Sequence, residues 1–369
     1  MIRTILHPSA AALLLLGTPA CAGESPSAAA SADPPPALSS VPHSSARSIQ
    51  DLGTLGWQHG FGFEINDRGE VAGRTETGQH NAPFAFRAVF WSPRTGTLDL
   101  GTLGGALSET RALNDHGMVV GMAQKAGDAM NQRHPTLWKV RPGGVEAVEL
   151  GPVFQGQAED VNNRGVVVGW SAASLTAPPT AFRWTEHGGM QPIPPLAGPR
   201  SAANGINEAG DVVGNSTVSA APPFIDHAVV WWRNGAVTDL GTLGFHTTAR
   251  SINDRGEVVG IGQPCPGCPQ HAFYWSEGTG MIDLGTFGGV RSLAFEIDNH
   301  GRVAGWYETL PGFVRHAFIW TLEGGKVDLP TLGGADSSTG SINGRGQVTG
   351  RAQTPSGAVH AVIWQLGPD

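Results

Sequence analysis

The chain is predicted to be all-β: a seven-bladed β-propeller of four-stranded antiparallel blades over residues 47–369, closed by its own N-terminal strand. Three observations carry this expectation. A nine-residue unit, Ile65-Asn66-Asp67-Arg68-Gly69-Glu70-Val71-Ala72-Gly73, occurs in seven related copies, in phase with two other segments. Charged residues make up only 15% of the 369, while Gly reaches 53 and Pro 27, which suits short strands and tight turns better than helical bundles. The folded part also opens on a spare fourth strand and ends one strand short.

The second residue of the unit falls at 66, 114, 162, 207, 253, 298 and 343, a spacing of 45 to 48. Each copy reads as a hairpin, with apolar residues flanking four turn residues. Gly69, Gly117, Gly165, Gly210, Gly256, Gly301 and Gly346 sit where the turn needs a left-handed backbone. A third strand follows, ending at Trp91, Trp138, Trp184, Trp231, Trp275, Trp320 and Trp364; copies such as His271-Ala272-Phe273-Tyr274-Trp275 are apolar on both faces and therefore buried on both. The fourth strand ends in Asp-Leu-Gly, beginning at Asp51, Asp99, Asp239 and Asp283, with Asp328-Leu329-Pro330 and degraded copies near Glu149 and Gln191. Four strands of about five residues with their connections fill about 46 residues, the observed period.

The ends decide between a ring and a solenoid. Ser48–Gly53 is a fourth-strand motif with no hairpin before it, and the chain stops soon after the third strand His360–Trp364. In a ring the N-terminal strand completes the last blade and removes the open edge, whereas a solenoid needs polar caps that are absent.

Residues 1–22 read as an export signal. Arg3 precedes the apolar stretch Ala10–Leu16, and Ala20-Cys21-Ala22 supplies a small-x-small cleavage pattern. The small residue before Cys21 also resembles a lipoprotein junction, with Cys21 the lipidated residue, although Thr18-Pro19-Ala20 departs from the usual leucine-small-small. Residues 23–46, rich in Ser, Ala and Pro, have too little apolar surface to fold and form a tether. No later apolar run is long enough for a second membrane span, and a net charge of −8 without a basic block excludes nucleic acid as a partner.

The repeated His-Ala-Phe-x-Trp, Asp-Leu-Gly-Thr-Leu-Gly-Gly and Ile-Asn-Asp-x-Gly-x-Val-Val-Gly segments resemble the HAF-repeat family of probable extracellular proteins, over about residues 48–364. That resemblance implies an exported repeat protein and hands over no catalytic residues. Arg87 and Thr180 stand where the pattern has His.

Little in the repeat is shaped for chemistry. His134, His227, His271, His316 and His360 occupy one position per blade, too far apart for one metal, and read as partners of a neighbouring strand or of the Asp-Leu-Gly aspartate. The Asn-Asp turn pairs lack the bidentate Glu of a calcium loop and read as turn formers. Cys265 and Cys268, in a Pro-rich loop of an exported chain, read as a small disulfide. Neither a metal nor a cofactor is expected. The position seven residues before the second residue of each unit varies most visibly: His59, Leu107, Gln155, Arg200, His246, Arg291 and Asp336, with Glu109, Gln157 and Glu159 nearby. Placed at the channel mouth, together with the loops 75–85, 123–133 and 216–226, these residues are the expected ligand-binding set. The expected function is an exported, monomeric, non-catalytic binding or scaffold module for an extracellular glycan, surface polymer or protein. The alternative is a secreted lyase or glycosidase, with Glu109 and Glu159 as its carboxyl pair.

Overall fold

The computed structural model describes residues 46–55, 59–76, 86–129 and 132–367. The export signal, Cys21 and all but the last residue of the tether lie outside the described residues. Among the described residues there is no helix, and so none long and apolar enough to cross a membrane.

Twenty-eight strands form seven four-stranded antiparallel sheets. Six blades are consecutive in sequence. The seventh is β26 (Ser337–Ile342), β27 (Gln347–Gln353), β28 (Val359–Leu366) and, at its outer edge, β1 (Ala46–Gly53). Ile49 pairs with Trp364 and Gln50 with Ile363, so the N-terminal strand closes the ring. The first strands of the other blades are β2 (Gly60–Ile65), β6 (Gly104–Leu113), β10 (Gln155–Val161), β14 (Ser201–Ile206), β18 (Thr247–Ile252) and β22 (Arg291–Ile297). Each touches the first strand of the next blade, and β26 touches β2; these seven strands line the axis.

Packing between blades explains the third-strand motif. Trp138 and Trp364 are fully buried between neighbouring blades. The alanine after the repeated His position (Ala88, Ala181, Ala228, Ala272, Ala317 and Ala361) has no exposed surface, and blade two buries Pro135 at the same place.

Two belts of hydrogen bonds sew the blades together at the hairpin face. The side-chain amides of Asn66, Asn114, Asn162, Asn207 and Asn253 each donate to the backbone carbonyl of the equivalent residue one blade on, at 2.9–3.2 Å, and Asn343 donates to Asn66 across the closure at 2.8 Å. In parallel, the backbone N–H of residues 67, 115, 163, 208 and 254 donates to the side chain of the next residue in that ring. Gly344 donates in the same way to Asp67. Both belts lapse between blades six and seven, because Asp298 carries no amide to donate and Gly344 no side chain to accept. Asp298 is held instead by Arg302, at 2.6–2.7 Å. These repeated residues are therefore turn formers and blade connectors, each Asn also capping its own turn, as Asn66 does for the N–H groups of residues 68 and 70.

Candidate functional site

Every first strand carries a β-bulge at the same place. In β2 the ladder slips between Gly62 and Glu64, in β6 between Thr110 and Ala112, and in β10 between Ala158 and Asp160. The slips in β14, β18 and β22 fall at Asn204, Arg250 and Phe295, and the one in β26 spans Gly340 and Ser341. A bulge frees one residue from the ladder and re-aims it. The last Gly of the nine-residue unit is the counterpart of this device: a Cβ on Gly73 would collide with the Phe61 carbonyl oxygen, and one on Gly121 with that of Glu109.

The result is a ring of bulge residues around the axis: Phe63, Arg111, Glu159, Asn204, Arg250, Phe295 and Gly340. They line a cavity of about 320 Å³, the size of a small-ligand site, to which all seven blades contribute. Five arginines (Arg74, Arg111, Arg250, Arg315 and Arg351) and four carboxyl groups (Glu64, Glu159, Asp160 and Glu296) share the lining with Phe61, Phe63, Phe295 and Trp306.

Three of the four carboxyl groups, Glu64, Asp160 and Glu296, belong to the residue after a bulge and are half-buried in the lumen. Ser341 donates to Glu64 and Ser251 to Glu296, while Asp160 accepts the Ile206 N–H at 2.8 Å. Enclosure and mutual repulsion raise their affinity for protons. Burial first, then the charges of Glu296 and Asp160, hold Glu64 well above the usual carboxylate range. Burial, then Asp160, pushes Glu296 up to about 8. Burial raises Asp160 to about 6, against the pull of two backbone N–H groups. The raised proton affinity of Glu64 and Glu296 weakens the negative charge that these carboxyl groups bring to a lumen lined by five arginines.

The arginines differ in commitment. Arg74 lies over Phe61, Phe63 and Phe86, with ring centroids at 5.0, 5.5 and 4.2 Å, and donates to Glu109 at 2.8 Å. Arg315 lies over Trp306 at 4.9 Å and Arg351 over Phe61 at 5.3 Å. Arg111 approaches Glu159 at 3.7 Å. Arg250 has no carboxylate within 4 Å among the described residues and is exposed to the solvent of the lumen; crowding by the cavity walls, aided by repulsion from Arg111 and opposed by Glu159, lowers its pKa.

Of the residues expected to bind ligand, Glu159 lines this cavity; it accepts from the Trp170 indole N–H at 3.1 Å. The others stand around it or apart. Glu109 is buried against Arg74. Arg291 pairs with Glu308 at 2.8 Å over Trp306, and Asp336 faces Arg351 at 3.4 Å. His246 accepts the Asp226 N–H, Gln155 opens β10, and the His59 backbone carbonyl accepts from Thr75. Arg200 stacks on Phe224 at 5.1 Å beside Pro199 in an outer groove. The residues that line the axial cavity at the bulges lie three residues before the second residue of each unit, whereas the expected set lies seven before it.

The repeated histidines brace blades. His227, His271 and His360 bond the aspartates Asp239, Asp283 and Asp51 at 2.8–2.9 Å, and Arg87 takes the same role toward Asp99. His316 bonds Thr309 instead, because Lys326 and Tyr307 occupy Asp328. Cys265 and Cys268 form a disulfide. Among the described residues no group of three or more His, Cys, Asp or Glu is placed to hold a metal ion.

No family model and no curated protein matches the chain. Among solved structures it is similar to the β-propeller domain of the trilobed protease from Pyrococcus furiosus, with 10% identity over 84% of this chain and 98% of that one and a TM-score of 0.55. It is also similar to a puromycin hydrolase (14% identity, 89% of this chain, 56% of that one, TM-score 0.54) and to a prolyl endopeptidase (12%, 84% and 48%, TM-score 0.54). The chain spans about half the length of these last two. At such identities the likeness establishes the fold. The expectation of an exported, non-catalytic scaffold for a glycan, polymer or protein is corrected by these matches: propellers of this shape occur within hydrolytic enzymes. Of the carboxyl pair in the alternative reading, Glu109 pairs with Arg74 at 2.8 Å, while Glu159 accepts from Trp170 and faces Arg111 at 3.7 Å.

Proposed function

We propose that the chain is a substrate-recognition propeller of a hydrolytic system, whose axial cavity binds the carboxylate of a small ligand such as the C-terminus of a peptide. The carrying observation is that Arg111 and Arg250 project from bulges into one cavity, where Arg250 has no ion-pair partner among the described residues. Two like charges held around an enclosed space are stabilised by an anion between them, and a guanidinium can grip a carboxylate through two parallel hydrogen bonds. The propeller domains of peptidases supply the class of ligand.

Calorimetric titration of a short N-acetylated peptide with a free C-terminus, against the same peptide amidated, tests this. The free acid should bind roughly 10- to 100-fold tighter, the worth of a charge-assisted pair, and Arg250→Gln should abolish the difference. Equal binding of acid and amide refutes the reading. Export through residues 1–22, lipidation at Cys21 and membership of the HAF-repeat group are proposed alongside, and the mass of the mature N-terminus decides the first two.

A further inference from the structure

Asn204 is the one amide among the seven bulge residues around the axis. It stands between Glu159 of blade three and Arg250 of blade five, and its side-chain nitrogen donates to the backbone carbonyl of Ala249 at 2.8 Å. A carbonyl oxygen only accepts, so this bond fixes which end of the amide faces β18. It also anchors Asn204 to the residue that immediately precedes Arg250. The two strands are in close contact at this level, since a Cβ on Gly205 would come within 2.6 Å of the Arg250 carbonyl oxygen. Asn204 is half-buried and lines the cavity, and its side-chain oxygen accepts no hydrogen bond among the described residues. Water can satisfy such an acceptor, and so can a ligand that carries an N–H.

From this juxtaposition we infer that Asn204 reads an amide N–H placed next to the carboxylate that Arg250 holds; the ligand class is an N-acylated amino acid, as at the C-terminus of a peptide, in which nitrogen and carboxylate share one carbon. The inference rests on the carboxylate reading above and adds the N–H as a second requirement. A guanidinium offers donors only, and the side-chain oxygen of Asn204 is an acceptor only. Side by side on one wall, they match an anion with an N–H beside it. On the other flank of Asn204, Glu159 already accepts from the Trp170 indole N–H and faces Arg111 at 3.7 Å, so its charge is met. With Arg111 and Arg250 both bordering this arc, a free ammonium would be repelled, and a neutral amide N–H fits better.

The test uses the full chain and four small probes in calorimetric titration near neutral pH: N-acetylglycine, acetoxyacetate, N-acetylglycinamide and glycine. Acetoxyacetate keeps the charge and nearly the shape of N-acetylglycine but has an ester oxygen in place of the N–H. N-acetylglycine should bind roughly tenfold tighter than acetoxyacetate, because the ester sets one acceptor against another at Asn204. Asn204→Leu should bring the two within about twofold of each other, chiefly by weakening N-acetylglycine. If that variant fails to fold, the wild-type probe series decides alone. N-acetylglycine and acetoxyacetate binding alike overturns the role of Asn204 and leaves the carboxylate reading standing. N-acetylglycinamide binding as tightly as N-acetylglycine overturns the carboxylate reading. Glycine binding more tightly than N-acetylglycine overturns the acylated ligand class. Absence of binding by every probe overturns both readings.

Discussion

Glu296→Gln tests how the lumen holds its protons. Glu296 is raised from 4.5 to about 8 by burial and by Asp160, with Ser251 donating to it. A carboxyl that binds its proton more tightly in the folded chain stabilises the fold below its unfolded pKa, and that contribution is lost as pH rises through the folded value. Stability should therefore fall between about pH 4.5 and 8. A sealed site shifted this far would lose about 5 kcal/mol at 1.36 kcal/mol per unit. Solvent reaches this half-buried carboxyl, and we expect about 1–2 kcal/mol. Glutamine still accepts from Ser251 but never ionises, so the variant should match wild type at pH 4.5 and exceed it at pH 8.5 by that amount. At about 2 °C per kcal/mol for a chain of this size, calorimetry should show a gain of roughly 2–4 °C in Tm at the higher pH alone. The pKa of Glu64 should also drop, because Glu296 is one of the charges that raise it. A variant less stable by the same amount at both pH values would refute the picture, since Glu296 would then be an ionised acceptor whose charge the fold needs.

Two further outcomes concern the frame. A chain starting at Thr54 loses β1, its pairing with β28 and the Asp51–His360 bond, and should melt well below one starting at Ala46, or aggregate through the bared edge of β28; equal melting would refute closure by that strand. Trp138→Ala should cost about 3–5 kcal/mol in denaturant unfolding, whereas His271→Ala, at a partly exposed pair, should cost under about 1 kcal/mol; the reverse order would mean that the histidines, not the tryptophans, hold the blades together.

The frame was legible because its causes are local and repeated. Gly69 and its six counterparts do adopt φ of +71° to +96°, and the spare strand motif at Ser48–Gly53 does complete the last sheet. The cavity was harder to read because a bulge breaks the two-residue alternation by which strand faces are assigned. Regular pairing hides the fact that Arg250 leaves the ladder and enters the lumen. A signal was nevertheless present. Each bulge residue follows a small one (Gly62, Thr110, Ala158, Ala203, Ala249, Ala294 and Thr339) and varies freely, while a Gly that tolerates no Cβ ends the unit on the facing strand. The role of that second Gly is steric and cannot be separated by sequence from the turn role of the first. The activity was not legible, because the repeat motifs encode blades, whereas the cavity is lined by one position in each blade that does not repeat.

The most direct measurement is a crystal of the full chain soaked in 4-iodobenzoate and recorded at a wavelength where iodine scatters anomalously. The account predicts one dominant iodine peak inside the axial cavity, with the carboxylate turned toward Arg111 and Arg250. An empty axial cavity, with iodine bound only on outer surfaces such as the groove of Arg200 and Phe224, would contradict it.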